Sequence, residues 1–147
     1  MEVTVLQGPF DPWELLARRE REVAGRLAGG TGAATVFVGT MRDFNEGDGV
    51  SAMHLEHYPG MTERYLERIR DEALRRWEIE EALIVHRVGE MQPGDPIVLV
   101  AVWSAHRAAA FEACRYLIEE LKRRAPFWKR ETLEDGSSRW VEHNTPG

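Results

Sequence analysis

Two lysines stand out in this sequence because the chain contains no others. Of its 19 basic residues, only Lys122 and Lys129 are lysine, and the rest are arginine. Arginine is effectively never deprotonated, whereas a lysine amine becomes a nucleophile or an acid–base group when its pKa falls. The chain uses arginine at its other basic positions, where a positive charge is sufficient. The two lysines, seven positions apart, are therefore predicted to be needed for the reactivity of their amines. The alternative is that both are ordinary surface lysines.

Three segments carry groups that could join these lysines in one site. A buried-strand pattern ends at Arg42, a predicted helix starts near His106 and Arg107, and the third segment holds the lysines themselves. Two cations in the first turn of a helix oppose its dipole, which suggests that they serve a ligand. If the segments meet, their cations would bind phosphate or carboxylate and lower a lysine pKa by repulsion. Taken singly, each arginine could be a surface charge.

Length, charge and cysteine content exclude several classes of protein. The 147 residues predict a single domain spanning 1–147, and the net charge of −6 argues against a nucleic-acid binder. No signal peptide or stretch long enough to span a membrane is present, so we expect a cytoplasmic protein.

The lone Cys114 permits no internal disulfide and is expected to be a small buried hydrophobe. His54 and His57 point to opposite faces of a strand, and we predict no metal site.

Hydrophobic periodicity predicts three helices and seven strands in a β-α-β-β-α-β-β-α-β-β order. The helices are expected at 12–28, 61–77 and 106–124, and the strands at 2–7, 33–40, 50–58, 81–88, 96–103, 127–133 and 138–142. Residues 42–49 and 89–95 are predicted to be loops, and Trp13 is placed on the apolar face of the first helix. Because strands come in adjacent pairs between helices, the fold class is α+β, a mixed or antiparallel sheet with three packed helices.

Four segments of the chain resemble the large subunit of molybdopterin synthase. They are FVGTMRDFNEG, HRVGEMQPGD, SAHRAAAFEACRYLIEELKRRAPFWKRE and DGSSRWVE. The resemblance runs from about residue 3 to residue 142, and its most specific parts are FVGT-x-R, S-x-H-R and the two lysines with six residues between them. Met41, Phe127 and Arg130 differ from the residues usual in the family at those positions, and none of the three is a catalytic position.

The resemblance implies a fold, an activity and partners. The fold is of the α/β hammerhead type, and the large subunits form a homodimer within a heterotetramer. The enzyme is a sulfurtransferase that uses no cofactor. A small ubiquitin-like sulfur carrier inserts its C-terminal Gly-Gly thiocarboxylate, and two sulfurs pass to cyclic pyranopterin monophosphate to form the dithiolene of molybdopterin.

By the same resemblance, Lys122 and Lys129 are the catalytic residues. The substrate-binding residues that it implies, together with those two lysines, are Thr40, Met41, Arg42, His106, Arg107, Arg130 and Glu131. Two other functions remain open: a non-catalytic docking module whose lysines pair with the carboxylate of a ubiquitin-like carrier, and a phosphate-ester hydrolase. The restriction of lysine to two positions favours a catalytic role over a docking role. The lack of a metal-ligand cluster or an obvious Ser or Cys nucleophile argues against a hydrolase.

Overall fold

A computed structural model gives the fold of the chain and describes residues 2–27, 29–45 and 47–141. Within these ranges the elements are β1 (Val3–Leu6), α1 (Pro12–Leu27), β2 (Ala33–Thr40), β3 (Phe44–Asn45), β4 (Asp48–His57), α2 (Met61–Arg76), β5 (Glu81–Arg87), β6 (Gly89–Met91), β7 (Pro96–Ser104), α3 (Arg107–Arg124), β8 (Phe127–Leu133) and β9 (Ser138–Val141). No helix among the described residues is long and apolar enough to cross a membrane.

The first sheet is mixed and has helices on both faces. Its strand order is β1-β5-β7-β2, with β1 parallel to β5 and the other pairs antiparallel. Side chains alternate along β5, so that Ile84 packs with residues of α2 and α3 while Leu83 packs with residues of α1. Both faces of this sheet are therefore covered, and β5 and β7 are buried along nearly their whole length.

The second sheet is antiparallel and is built around β4. Strand β4 pairs with β3, β6 and β8, and β8 pairs with β9. Its apolar side includes Met53, Leu55 and Met91, which form a third buried cluster. Partly buried Ile97 and Phe127 pack against both this cluster and the core beneath α2 and α3. The two sheets therefore meet close to the junction of α3 and β8.

The structure confirms the predicted α+β class, its three helices and its seven principal strands. Asp11 caps α1 as expected, because its carboxylate accepts the backbone N–H groups of Trp13 and Glu14 at 3.0 and 3.2 Å. Three details differ. The strands form two sheets, and the short strands β3 and β6 lie inside the predicted loops, where polar and glycine residues hid them. Trp13 is 63% exposed instead of buried. The last predicted strand extended to residue 142, which lies outside the described residues.

Candidate functional site

The two lysines come together where α3 passes into β8. Helix α3 ends at Arg124, and Pro126 prevents its continuation. Strand β8 then runs antiparallel to β4, with Lys129 opposite Leu55. The lysine at the end of the helix and the lysine on the strand line the same two cavities, one of about 410 Å³ and one of about 90 Å³. The pair of amines is therefore accessible from both cavities.

The larger cavity combines an apolar wall with charged groups. Its apolar lining includes Phe37, Met41, Met53, Ile97 and Ile118. The charged lining consists of Arg42, Arg115, Lys122, Lys129, Glu119 and Glu131. Such a cavity can bury a flat organic ring against the apolar wall while cations hold an anionic group.

A glycine at the end of β2 brings Thr40, Met41 and Arg42 into this cavity. The pairing of β2 with β7 shifts register between Gly39 and Thr40. A Cβ at Gly39 would lie 2.8 Å from the Val98 side chain, so this close approach of the strands requires glycine. Thr40, Met41 and Arg42 all line the larger cavity, and their role in binding substrate stays a prediction.

Burial and neighbouring positive charges lower the pKa of both lysines. Burial, helped by the charge of Lys129, lowers the pKa of Lys122 to about 8. Burial also lowers the pKa of Lys129, where the carboxylate of Glu131 opposes the shift and the guanidinium of Arg42 adds to it. A pKa near 8 leaves an appreciable fraction of the amine uncharged at neutral pH, and the uncharged amine is the form that can act as nucleophile or base.

Glu131 is a buried carboxylate that links three strands beneath Lys129. It is 5% exposed and accepts hydrogen bonds from Asn45 Nδ2 at 3.0 and 3.2 Å and from Arg139 Nε at 3.2 Å. Because side chains alternate along β8, Glu131 and Lys129 share the face that lines the cavity. The carboxylate is thus fixed in position, and its charge partly offsets the positive charge of the cluster.

His86 contributes a neutral ring to the smaller cavity. The ring is 2% exposed, stacks on Phe127 at a centroid distance of 4.1 Å and donates from Nδ1 to the Arg87 carbonyl at 2.9 Å. Burial, with a contribution from the Lys122 charge, lowers the pKa of His86 to about 3. The imidazole therefore stays uncharged at neutral pH beside the two amines, with its Nε2 as an acceptor.

The structure does not bring His106 and Arg107 to the lysines within one chain. Arg107 begins α3 and Lys122 lies in its last turn, so 15 residues separate them by about 22 Å along the helix axis. Both residues at the start of α3 are exposed and line neither cavity. Arg130 also points away, because it alternates with Lys129 along β8 and lies over the Trp140 ring at 5.8 Å.

Several residues of the site were not singled out by sequence reasoning. They are Phe37, Asn45, Arg115, Ile118, Glu119 and His86. Nothing in a strand pattern marks the closeness of His86 to Lys122. Arg115 and Glu119 had a usable signal, since they precede Lys122 by seven and three positions and so share its helix face.

The arrangement suits amine-assisted chemistry on an anionic ligand bound in the larger cavity. A guanidinium can hold the anion while an uncharged amine attacks a carbon or moves a proton. Across residues 2–27, 29–45 and 47–141, no three His, Cys, Asp or Glu side chains are grouped so that they could hold a metal ion. Cys114 is buried away from both cavities, and burial raises its pKa to about 11, so its thiol is unreactive.

The chain is similar in sequence and in fold to several known proteins. The chain is 50% identical over 143 residues to the molybdopterin synthase catalytic subunit of Pseudomonas aeruginosa, covering 97% of this chain and 91% of the relative. It is 50% identical over 131 residues to the protein of the same name from Escherichia coli, covering 89% and 79% of the two chains. The solved structure of molybdopterin synthase from Staphylococcus aureus matches with a TM-score of 0.79 and 34% identity, covering 95% of this chain and 96% of the other. The MoaE protein family model matches residues 7–124, and the chain belongs to this family.

Proposed function

We propose that this chain is the catalytic subunit of a molybdopterin synthase, a sulfurtransferase that converts cyclic pyranopterin monophosphate into molybdopterin. The observation that carries the proposal is the pair of amines, Lys122 and Lys129, shared by two cavities of different size. Relatives that carry this name are about half identical to the chain over most of its length.

The larger cavity suits the pyranopterin. Its apolar wall offers a surface for the fused rings, and Arg42 supplies a guanidinium for the phosphate. The smaller cavity, of about 90 Å³, is lined by apolar residues such as Leu55, Leu121 and Val141 beside His86 and the two lysines. Its small volume suits the extended C-terminal Gly-Gly of a carrier, since glycine has no side chain to accommodate. On this arrangement the thiocarboxylate and the carbons that receive sulfur meet at the lysines.

The lysines then divide the work of the transfer. In each round the thiocarboxylate sulfur bonds to a pyranopterin carbon and displaces an oxygen, which stays on the opened phosphate in one round and leaves as water in the other. A water molecule then cleaves the carrier's carbon–sulfur bond, so that the carrier ends as a carboxylate. Lys122 lies beside the carrier's carbonyl carbon and stabilises its developing negative charge or attacks it. Lys129 moves protons as the cyclic phosphate opens and sulfur adds. Both roles need a group that can lose its proton, which the lowered pKa values of these lysines support.

The partners of the chain follow from the same proposal. The relatives are named as catalytic subunits, which implies a further subunit in their enzymes, and we assign that place to a small sulfur carrier. We also propose that two copies of the chain pair. His106 and Arg107 are too far from Lys122 to act in their own chain, so they serve the site only if they reach the cavity of a second copy. The enzyme is expected to act in the cytoplasm.

A docking module is the main alternative, and the lysine environment argues against it. A lysine that merely pairs with a carboxylate gains from a permanent charge, and burial at Lys122 works in the opposite direction. A group with a pKa near 8 is a poor permanent cation and a good acid–base group.

A single-turnover assay tests the proposal. The protein is mixed with thiocarboxylated carrier and cyclic pyranopterin monophosphate, and the two-sulfur product is measured. We expect product that depends on the carrier. Tight carrier binding without product would favour the docking module, and release of phosphate without carrier would favour the hydrolase.

A further inference from the structure

One carboxylate in the larger cavity has no part in the mechanism above. Glu119 lies on α3 one turn before Lys122 and lines the same cavity. Its Oε1 is 3.0 Å from Nε of Arg115, four positions earlier on the helix. Arg115 is also part of the cavity wall. The cavity therefore contains an ion pair on the helix face that leads to the reactive amine.

Glu119 is held much less firmly than the other carboxylates around it. Arg115 is its only ion-pair or hydrogen-bond partner among the described residues, and the Arg115 side chain is itself 67% exposed. Glu131, by contrast, is bound by Asn45 and Arg139. An ion pair at i,i+4 with an exposed arginine contributes little to stability, so a ligand that offers Glu119 better donors can replace the arginine.

The chemistry of that exchange identifies the ligand edge. A carboxylate accepts two parallel N–H bonds from a planar fork, as it does from a guanidinium. The amino-pyrimidinone edge of a pterin presents the same fork, with N–H donors on the 2-amino group and on N3. The Arg115 guanidinium contacts the same carboxylate to which such an edge could bind.

We propose that Glu119 is the residue that selects the pterin ring, by pairing with its 2-amino and N3 donors in exchange for Arg115. This inference rests on the proposed function, because it takes a pyranopterin as the ligand. Residues three apart on a helix are neighbours, and Glu119 precedes Lys122 by about 4.5 Å of axial rise. The amino-pyrimidinone ring is the end of the fused system farthest from the carbons that receive sulfur. Pairing at Glu119 therefore fixes the orientation of the ring system in the cavity that Lys122 also lines.

Equilibrium binding of two fluorescent ring systems tests this assignment without turnover. Pterin-6-carboxylate carries the 2-amino group, whereas lumazine-6-carboxylate has a carbonyl there and is otherwise similar. Both are titrated at pH 6.5 into the wild type, Glu119→Gln and Glu120→Gln. Glu120 is the matched control, since it lies on the same helix, contacts Arg124 and Tyr65, and lines neither cavity.

We expect the wild type and Glu120→Gln to bind the pterin at least about tenfold more tightly than the lumazine, as a charged hydrogen-bonded pair requires. In Glu119→Gln the ratio should fall to about one, because an amide can present either its carbonyl or its NH₂. Unchanged discrimination in Glu119→Gln would overturn the inference. If discrimination is unchanged in Glu119→Gln and the wild type transfers sulfur in single turnover, the role of Glu119 is wrong and the proposed function stands. A wild type that neither binds the pterin nor transfers sulfur overturns the proposed function, and this inference with it.

Discussion

Lys122 and Lys129 line the same two cavities, and the charge of Lys129 lowers the pKa of Lys122. One amine comes from the last turn of a helix and the other from the strand that follows, so the fold, through Pro126, fixes their separation. Burial is the larger cause of the lowered pKa of Lys122, and repulsion by Lys129 adds to it. Their combination keeps an amine that can lose its proton at the point where the cavities meet.

Replacing either lysine with arginine should abolish sulfur transfer while leaving the charge in place. Lys122→Arg and Lys129→Arg each keep a cation but lose the group that titrates. Because a positioned acid–base group contributes about 10²–10⁴-fold, we expect the single-turnover rate to fall at least about 100-fold. The measurement is product formed per active site with saturating thiocarboxylated carrier.

Arg123→Gln is the matched control for this experiment. Arg123 adjoins Lys122 on α3, is exposed and lines neither cavity, so this variant should keep wild-type rates. Full turnover by either Lys→Arg variant would show that the lysine concerned acts only through its charge.

The transfer rate should rise with pH through about 8. Burial and the Lys129 charge lower the pKa of Lys122 to about 8, so the uncharged amine is the minor form below that pH and the major form above it. A step that uses the uncharged amine accelerates as pH rises and levels off once deprotonation is complete. Single-turnover rates between pH 6 and 9.5 measure the midpoint.

Selective amine labelling gives an independent measurement of the same pKa. The chain has only two lysines, so mass spectrometry can follow the modification of each as a function of pH. Lys129→Gln removes the repelling charge and should move the midpoint of Lys122 upward. A midpoint that stays at the ordinary value near 10.4 in the wild type would contradict the role of burial.

Lys122→Met should make the protein more stable while removing its activity. The folded state carries the penalty of a buried, repelled ammonium, and a fall from 10.5 to about 8 corresponds to about 3 kcal/mol at full strength. Methionine fills a similar volume without charge. We expect a gain of about 1–3 kcal/mol in the free energy of unfolding at pH 7, measured by urea denaturation.

The pH dependence of that gain identifies its origin. Between the folded pKa near 8 and the unfolded value of 10.5, the unfolded wild type binds more protons than the folded one, so its stability rises with pH. The advantage of Lys122→Met should therefore be constant below about pH 8 and shrink toward pH 10.5. An advantage that does not change with pH would point to packing instead of charge.

Glu131→Gln should lower both stability and the pKa of Lys129. The carboxylate is buried and bonded to Asn45 and Arg139, and weakening such a bond costs about 1–3 kcal/mol. Since the Glu131 charge raises the pKa of Lys129, its removal leaves that amine more easily deprotonated. Denaturation and amine labelling measure the two effects. Asp48→Asn is the control, because Asp48 binds the same arginine at an exposed position.

Much of the fold could be predicted from sequence, because long apolar periodicities determine it. Strand β2 and the ends of α2 and α3 lie within one residue of the predictions. The short strands β3 and β6 could not be predicted, since two or three residues give no period and their pairing depends on β4. The exposure of Trp13 could not be predicted either. A residue on the apolar face of a helix is buried only where another element packs against it, and the sequence does not show whether one does so at the start of α1.

The candidate site was only partly accessible to sequence reasoning. Residue type alone identified Lys122 and Lys129, and the end of a buried strand identified Arg42. The proximity of His86 to the lysines depends on how two sheets meet, which no local pattern encodes. The separation of Arg107 from Lys122 follows from the length of α3, which the hypothesis that their segments meet does not take into account.

Mixing two inactive variants should restore activity if His106 and Arg107 act across a dimer. One variant is Lys122→Arg and the other is Arg107→Gln. In a mixed dimer, the chain with Arg107→Gln keeps its own Lys122, and the partner supplies an intact Arg107 to that site. Random assortment of equal amounts makes about half the dimers mixed, each with one intact site of two, so about one quarter of wild-type activity returns.

The alternatives give different results. If Arg107 acted within its own chain, every site in a mixed dimer would contain one defect and no activity would return. If Arg107→Gln alone were fully active, the residue would lie outside the site altogether. The distance of about 22 Å along α3 already weighs against action within one chain, so recovery on mixing, with each parent inactive, is the result that we expect.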